Sequence, residues 1–234
     1  MIHPSSPSVP ARSRRAALAL AAAAVGLAGG CASSGPPPSP LVDPGPTGLT
    51  GTAPDSFRVT MVTSEGPVDI TFHRSWAPRG VDRVWHLARN DFWAGARFYR
   101  VEEGFVAQWG FSGDPTLDSL WRAYPLEDEP VEASNRRGAV SFARAGARTR
   151  SFTLFVNYAD NPRLDTLVVG GIRGYPPLGV VEDGGMAVLE GLYDGYADEP
   201  PSQDSIAARG NDYLRRHYPQ LDSVVTTRIA ATWP

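Results

Sequence analysis

The feature that most constrains this chain is a succession of short strand-like runs separated by Gly-rich and Pro-rich turns, without the strand-helix alternation that builds a parallel sheet. Phe57, Val59 and Met61 alternate with Arg58 and Thr60, and Val68, Ile70 and Phe72 alternate with Asp69 and Thr71. Successive side chains of a strand point to opposite faces, so the two runs, joined at Glu65-Gly66-Pro67, predict a hairpin with one buried face. Further runs fall at 97–101, 105–109, 139–143, 152–156, 167–170 and 224–230. Pro78 opens a helical stretch in which Val81, Val84, Trp85 and Ala88 share one side, ending over 90–95. A second helix is expected from about Asp183 with Met186, Leu189 and Tyr193 on one face, and a third over 203–217. The expected fold is mainly β, a closed antiparallel barrel with helices at its ends.

Composition removes several chemistries. With 234 residues, 42% of them hydrophobic, one main core is expected. The formal charge of −3 and the scattered basic residues provide no electrostatic footprint for nucleic acid. All 22 basic residues other than histidine are Arg, which excludes a Schiff-base lysine and a phosphate-loop lysine. One Cys and four scattered His speak against a disulfide, a redox pair or a metal cluster.

The beginning of the chain reads as an address. A polar stretch with Arg12, Arg14 and Arg15 precedes an apolar run over 16–27 that is too short to span a bilayer, and Ala28-Gly29-Gly30-Cys31 follows. This order predicts a lipoprotein signal over 1–31 ending in a lipidated Cys31, with an ordinary secretory signal as the alternative. Ser13-Arg14-Arg15 leaves Sec and twin-arginine export both open. Residues 32–54, dominated by Pro, Gly, Ser and Thr, are expected to form a disordered tether, and 55–234 the folded domain. The expected location is a bacterial cell envelope, the periplasmic side of the outer membrane being favoured over the inner membrane because Ala32 and Ser33 carry no retention signal.

Within the domain, Phe98-Tyr99-Arg100-Val101, Gly104-Phe105-Val106-Ala107-Gln108 and Gly113-Asp114-Pro115 follow one another closely. Further on stand Gly138-Ala139-Val140-Ser141-Phe142-Ala143, Leu154-Phe155-Val156-Asn157, Asp160-Asn161 and Leu164-Asp165. In order and spacing these segments resemble the cyclophilin signatures over roughly residues 56–196, and Pro176-Pro177-Leu178-Gly179-Val180 continues the resemblance through the strand before the second helix.

That resemblance implies an eight-stranded barrel, an extra C-terminal helical segment over 200–219 acting as a cap, and peptidyl-prolyl cis/trans isomerisation without a cofactor. The implied partners are proline-containing peptides or unfolded exported proteins, with no nucleic acid, a membrane reached only through the lipid anchor, and a monomeric state. Arg100 would meet the proline nitrogen and Gln108 would hold the substrate backbone. Phe105, Val106, Ala143, Arg144, Thr153, Phe155, Tyr175 and Leu178 would line the substrate groove.

The chain departs from the family at several of these positions. Val106 and Thr153 replace Met and Gln, Arg144 replaces Asn, Tyr175 stands for His, and Arg163 takes the place of a Trp used in cyclosporin binding. A proline-peptide-binding or chaperone module with little turnover therefore stays open beside the isomerase, as does a passive envelope lipoprotein. Taken singly, Phe105 and Phe155 also fit plain barrel core, and Arg100 a solvated charge.

Overall fold

The structure, a computed structural model, describes residue 39, residues 41–43 and residues 51–234. The expected signal segment, Cys31 and most of the expected tether lie outside the described residues. Near its end the tether stretch meets the domain: Trp121 Nε1 donates to the Leu41 carbonyl at 2.9 Å, and the buried Ala53 donates its N–H to Asp82 at 2.9 Å.

The alternating runs form β1 (Ser56–Thr63) and β2 (Gly66–His73), paired in continuous antiparallel register through the expected turn. Helix α1 (Pro78–Arg89) follows, then β3 (Arg100–Glu102), β4 (Val106–Trp109) and α2 (Pro115–Arg122). After these come β5 (Ala139–Phe142), β6 (Leu154–Asn157), a 3-10 turn (Pro162–Asp165), β7 (Val168–Val169), β8 (Ile172–Arg173) and β9 (Pro177–Val181). The last elements are α3 (Gly185–Leu189), α4 (Gln203–His217) and β10 (Val224–Trp233).

Eight strands curl into one antiparallel sheet in the order β10-β1-β2-β9-β5-β6-β4-β3, while β7 and β8 pair only with each other. The inner face is one apolar cluster, in which Phe57, Met61, Phe98, Trp109, Phe142 and Leu154 are among the largest buried side chains. The ends of the sheet are not joined by a continuous ladder. They meet at the isolated Arg97–Ser223 bridge, flanked by bonds from Phe98 N–H to the Asp222 carbonyl and from Gly95 N–H to the Val224 carbonyl. The architecture is thus a half-barrel of mainly β structure with helices packed on it.

Three expectations change. The run over 97–101 yields only β3, because residues 95–98 spend their backbone bonds on the C-terminal strand. The run over 167–170 is no barrel strand; Leu167 and Val168 are exposed on the separate β7-β8 hairpin. The second helix spans only Gly185–Leu189, since the chain turns at Gly191 and Asp222 takes the Tyr193 N–H at 2.7 Å.

Helix α2 went unread, although Asp114-Pro115 is a start signal: Asp114 Oδ1 accepts the N–H groups of Thr116 and Leu117 at 2.8 and 3.4 Å, and Pro115 occupies the first turn. Helix α4 matches its expected span and buries Ile206, Tyr213 and Leu214. It breaks at Gly210, whose φ of 55° and ψ of −146° belong to a region open essentially to glycine. A Cβ there would collide with the Gly113 carbonyl, so the break seats α4 directly against the loop that starts α2.

Asp118 sits in that contact, 1% exposed, with its Oδ1 accepting the Ser112 N–H at 2.8 Å and its Oδ2 without a partner. Burial outweighs the Ser112 bonds and the nearby Arg122, raising its pKa to about 6. A raised folded-state pKa contributes stability that is complete below the unfolded value and lost as pH rises through about 6. Asp118→Asn is therefore expected to gain on the order of 2 kcal/mol relative to the wild type between pH 4 and pH 7. Urea midpoints at the two pH values measure it, and an unchanged difference would reject the assignment.

Candidate functional site

The sheet register assembles the site. Arg100 pairs with Gln108, Gln108 with Phe155, and Phe155 with Ser141, one row across β3, β4, β6 and β5. Paired residues project to the same side of a sheet, so this row shares the face opposite the core, while Ala107, Trp109, Leu154 and Val156 point inward. On that outer face Val106, Phe155 and Leu164 form a second buried apolar cluster, with Phe105, Ala143 and Tyr175 packed against it.

A groove of about 580 Å3 opens over this cluster. Arg100, Gln108, Phe105, Val106, Ala143, Arg144, Thr153, Phe155 and Tyr175 all line it, so nine of the ten groove residues expected from the sequence come together. Leu178 does not. It is fully buried in the main core beneath Gly80, because β9 turns that position inward; Leu164 and Leu167 line the groove, Leu164 within its apolar cluster. Leu164 was legible as part of the Leu164-Asp165 motif, but its side-chain direction was not.

Arg100 is held from three sides. Its Nε donates to Glu102 Oε1 at 2.7 Å, its Nη2 approaches the same oxygen at 2.7 Å, and its Nη1 reaches Gln108 Oε1 at 3.4 Å. The guanidinium carbon lies 5.6 Å from the centre of the Phe105 ring. Glu102 was missed in the sequence; positions two apart on a strand share a face, which is the signal that places it beside Arg100.

Buried polar bonds fix the loops that carry the groove walls. Asp165 accepts from Ser134 Oγ at 2.6 Å and from the N–H and Nδ2 of Asn135 at 2.8 Å each. Burial pushes the Asp165 carboxyl up, yet these donors together pull it below the usual range. Asn135 Nδ2 also donates to the Tyr175 carbonyl at 2.8 Å, and Asn161 Nδ2 to the Phe105 carbonyl at 3.2 Å. Tyr175 stands edge-on to Phe155, with ring centres 5.8 Å apart and Arg144 4.9 Å over its ring. Arg144 donates to the Ile172 carbonyl at 2.8 Å, so the substitution noted in the sequence ties the β7-β8 hairpin to the groove.

Two further walls had no sequence signal. Gln203 and Asp204, at the start of α4, line the groove, as do Phe111 and Arg122. The C-terminal segment is thus more than a cap on the barrel end.

Comparison with known proteins agrees with this geometry. The family model described as cyclophilin type peptidyl-prolyl cis-trans isomerase matches residues 58–210. A peptidyl-prolyl cis-trans isomerase of Helicobacter pylori is 30% identical over 125 residues, covering 53% of this chain and 77% of that protein. Peptidyl-prolyl cis-trans isomerase-like 2 of Cryptococcus neoformans is 31% identical over 115 residues, 45% of this chain but only 19% of that longer protein.

Among solved structures, a cyclophilin type peptidyl-prolyl cis-trans isomerase of Cryptosporidium parvum aligns with a TM-score of 0.55 at 19% identity, covering 76% of this chain and 99% of that one. The same protein in the presence of the dipeptide Ala-Pro aligns with a TM-score of 0.51 at 21% identity, covering 75% and 99%. With a family model matched over more than half of its length, a half-barrel of the same fold and the groove row in register, this chain belongs to the cyclophilin type peptidyl-prolyl cis-trans isomerase family.

Proposed function

We propose that the domain catalyses cis/trans isomerisation of X-Pro bonds in exported proteins. The observation that carries the reading is that a guanidinium, Arg100, lines one groove with the apolar cluster of Val106, Phe155 and Leu164. A solved structure of the Cryptosporidium relative was obtained in the presence of the dipeptide Ala-Pro, a peptide of the class this reading calls for.

Amide rotation has a barrier of ~18–20 kcal/mol because the nitrogen lone pair is delocalised into the carbonyl. No bond is made or broken, so the groove needs only to bind the twisted amide better than either planar form. The apolar cluster holds the pyrrolidine ring, Gln108 offers its amide to the substrate backbone, and Arg100 donates to the nitrogen lone pair once twisting localises it. An acceleration of about a hundred-thousandfold requires ~7 kcal/mol of such differential binding. Exchange spectroscopy on an Ala-Pro peptide tests the reading: added protein should speed interconversion, and an unchanged rate would refute it.

A second reading, peptide binding with little turnover, draws support from the Arg100–Glu102 pair, which already occupies two nitrogens of the guanidinium. It predicts saturable binding of the peptide at an unchanged exchange rate.

We also read the half-barrel as closed through the Arg97–Ser223 bridge. We place the protein at a bacterial envelope membrane, favouring the periplasmic side of the outer membrane, on the strength of the arginines, the apolar run and Cys31. Cys31→Ala should move the protein from the membrane to the soluble envelope fraction; retention in the membrane would refute lipidation.

A further inference from the structure

The groove is basic on a protein that is acidic overall. Arg100, Arg122, Arg144, Arg148 and Arg163 line it against a single carboxylate, Asp204, while the chain carries a formal charge of −3. Three of these arginines have carboxylate partners: Arg100 with Glu102 at 2.7 Å, Arg144 with Asp128 at 3.8 Å and Arg148 with Glu127 at 3.9 Å. Among the described residues, no carboxylate oxygen lies within 4.0 Å of Arg122 or Arg163.

The two differ in their surroundings. Arg122 lies close enough to Asp118 to affect its charge. Arg163 faces no such compensation. Its neighbour Asp165 is turned into the Ser134 and Asn135 bonds, and Asp160 accepts the Arg137 N–H at 2.9 Å. Glu102 is engaged by Arg100, which leaves the exposed Glu103 as the remaining acid of the turn before Phe105.

Position then decides what Arg163 can do. It precedes Leu164 of the apolar cluster, and its guanidinium carbon lies 4.9 Å from the centre of the Phe105 ring. Arg100 lies over the same ring at 5.6 Å. Stacking on an aromatic face orients a guanidinium and leaves the donors in its plane free for a carboxylate. An extended peptide advances roughly 3.3–3.6 Å per residue, so a side chain one or two residues from the bound proline falls within reach.

We propose that the groove selects prolines flanked by an acidic side chain, Asp or Glu, and that Arg163 is the residue that reads it. This rests on the proline groove of the preceding reading and adds a substrate class to it. Clefts lined by one sign of charge concentrate the opposite sign, so the preference includes a faster encounter as well as a contact.

The test uses proline peptides carrying Glu, Gln or Lys at the positions immediately before and after the proline, with exchange rates giving kcat/KM. At about 0.01 M ionic strength, where charges are felt out to roughly 30 Å, the Glu peptide at one flank should exceed its Gln counterpart about two- to fivefold. The Lys peptide should fall below both. At about 1 M salt the Glu advantage should shrink toward one. Arg163→Gln should collapse the ratio of Glu to Gln rates, while Arg163→Lys should keep part of it.

Equal rates for Glu and Gln peptides in the wild type would overturn the proposal and leave the isomerase reading intact. A Glu advantage that survives Arg163→Gln would overturn the assignment to Arg163. No acceleration of any peptide by the wild type would instead count against the isomerase reading itself.

Discussion

Arg100→Ala is expected to lower kcat/KM for a neutral Ala-Pro peptide about a hundred- to a thousandfold, the usual cost of removing one preorganised donor from a developing charge. The lost interaction exists only while the amide is twisted, so kcat should fall with kcat/KM and the affinity for the planar peptide should change little. Arg100 is half-buried at the groove edge, and its removal leaves Glu102 in contact with solvent. The unfolding midpoint should therefore move by no more than a surface substitution moves it, about 0.5 kcal/mol. Arg100→Lys keeps the charge but loses the planar fork that meets Glu102 and Gln108 together, and should fall between the two. A loss of less than about threefold in the alanine variant would remove Arg100 from the mechanism.

Glu129→Ala should be the most damaging single change to stability, at about 3–5 kcal/mol. The start of α1 has no cap of its own: Ala77 offers no side-chain acceptor. Glu129, nearly fifty residues away in sequence, supplies both oxygens instead, accepting the N–H of Arg79 at 2.6 Å and of Gly80 at 3.1 Å. The same carboxylate pairs with Arg150 Nη2 at 3.1 Å, and the two side chains are 2% and 1% exposed. Alanine would strand two helix donors and leave a buried guanidinium that already has two nitrogens without partners. With about 2 kcal/mol per molar urea for a domain of this size, the midpoint should drop by roughly 2 M. Glu129→Gln keeps an acceptor for the helix but removes the charge facing Arg150, and should cost less. A midpoint within 0.5 M of the wild type in the alanine variant would refute the capping role.

These two residues illustrate what the chain discloses before it folds. Arg100 and Gln108 were legible because the segments 98–101 and 104–108 carry the family resemblance, and the β3-β4 register then sets the two side chains opposite each other. Phe105, Val106 and Phe155 were legible through the same resemblance; alternation turns Val106 and Phe155 away from the core, while Phe105 precedes β4 and packs against them. Glu129 and Arg150 carry no such mark, since a charged residue reads as surface until a helix end and a guanidinium arrive from elsewhere. Buried Arg83 is the same case, held by the carbonyls of Tyr124 and Ser151 at 2.8 and 3.2 Å, with burial drawing its pKa down to about 10.

Leu178 and Leu164 mark the boundary most clearly. Both are leucines in the segments that carry the resemblance, and nothing in the linear order says which enters the groove. The 3-10 turn after Asn161, held by Asn135 and Asp165, swings Leu164 out, while the β9 ladder turns Leu178 in. The short α3 and the detached β7-β8 hairpin have the same origin, because distant partners claimed backbone groups that local periodicity had assigned to longer elements.

The sequence by itself determined the β architecture, the opening hairpin, α1 and α4 through side-chain period, and pointed to Arg100, Gln108 and Phe155 through the family resemblance of their segments. Tertiary structure alone decided which leucine joins the apolar cluster of the groove, that α4 reaches the groove, that Glu129 caps α1, and that Arg163 stands beside Phe105 without a carboxylate. Period and propensity act over a few residues, whereas burial and ion pairing depend on which remote segments the curled sheet brings within about 4 Å.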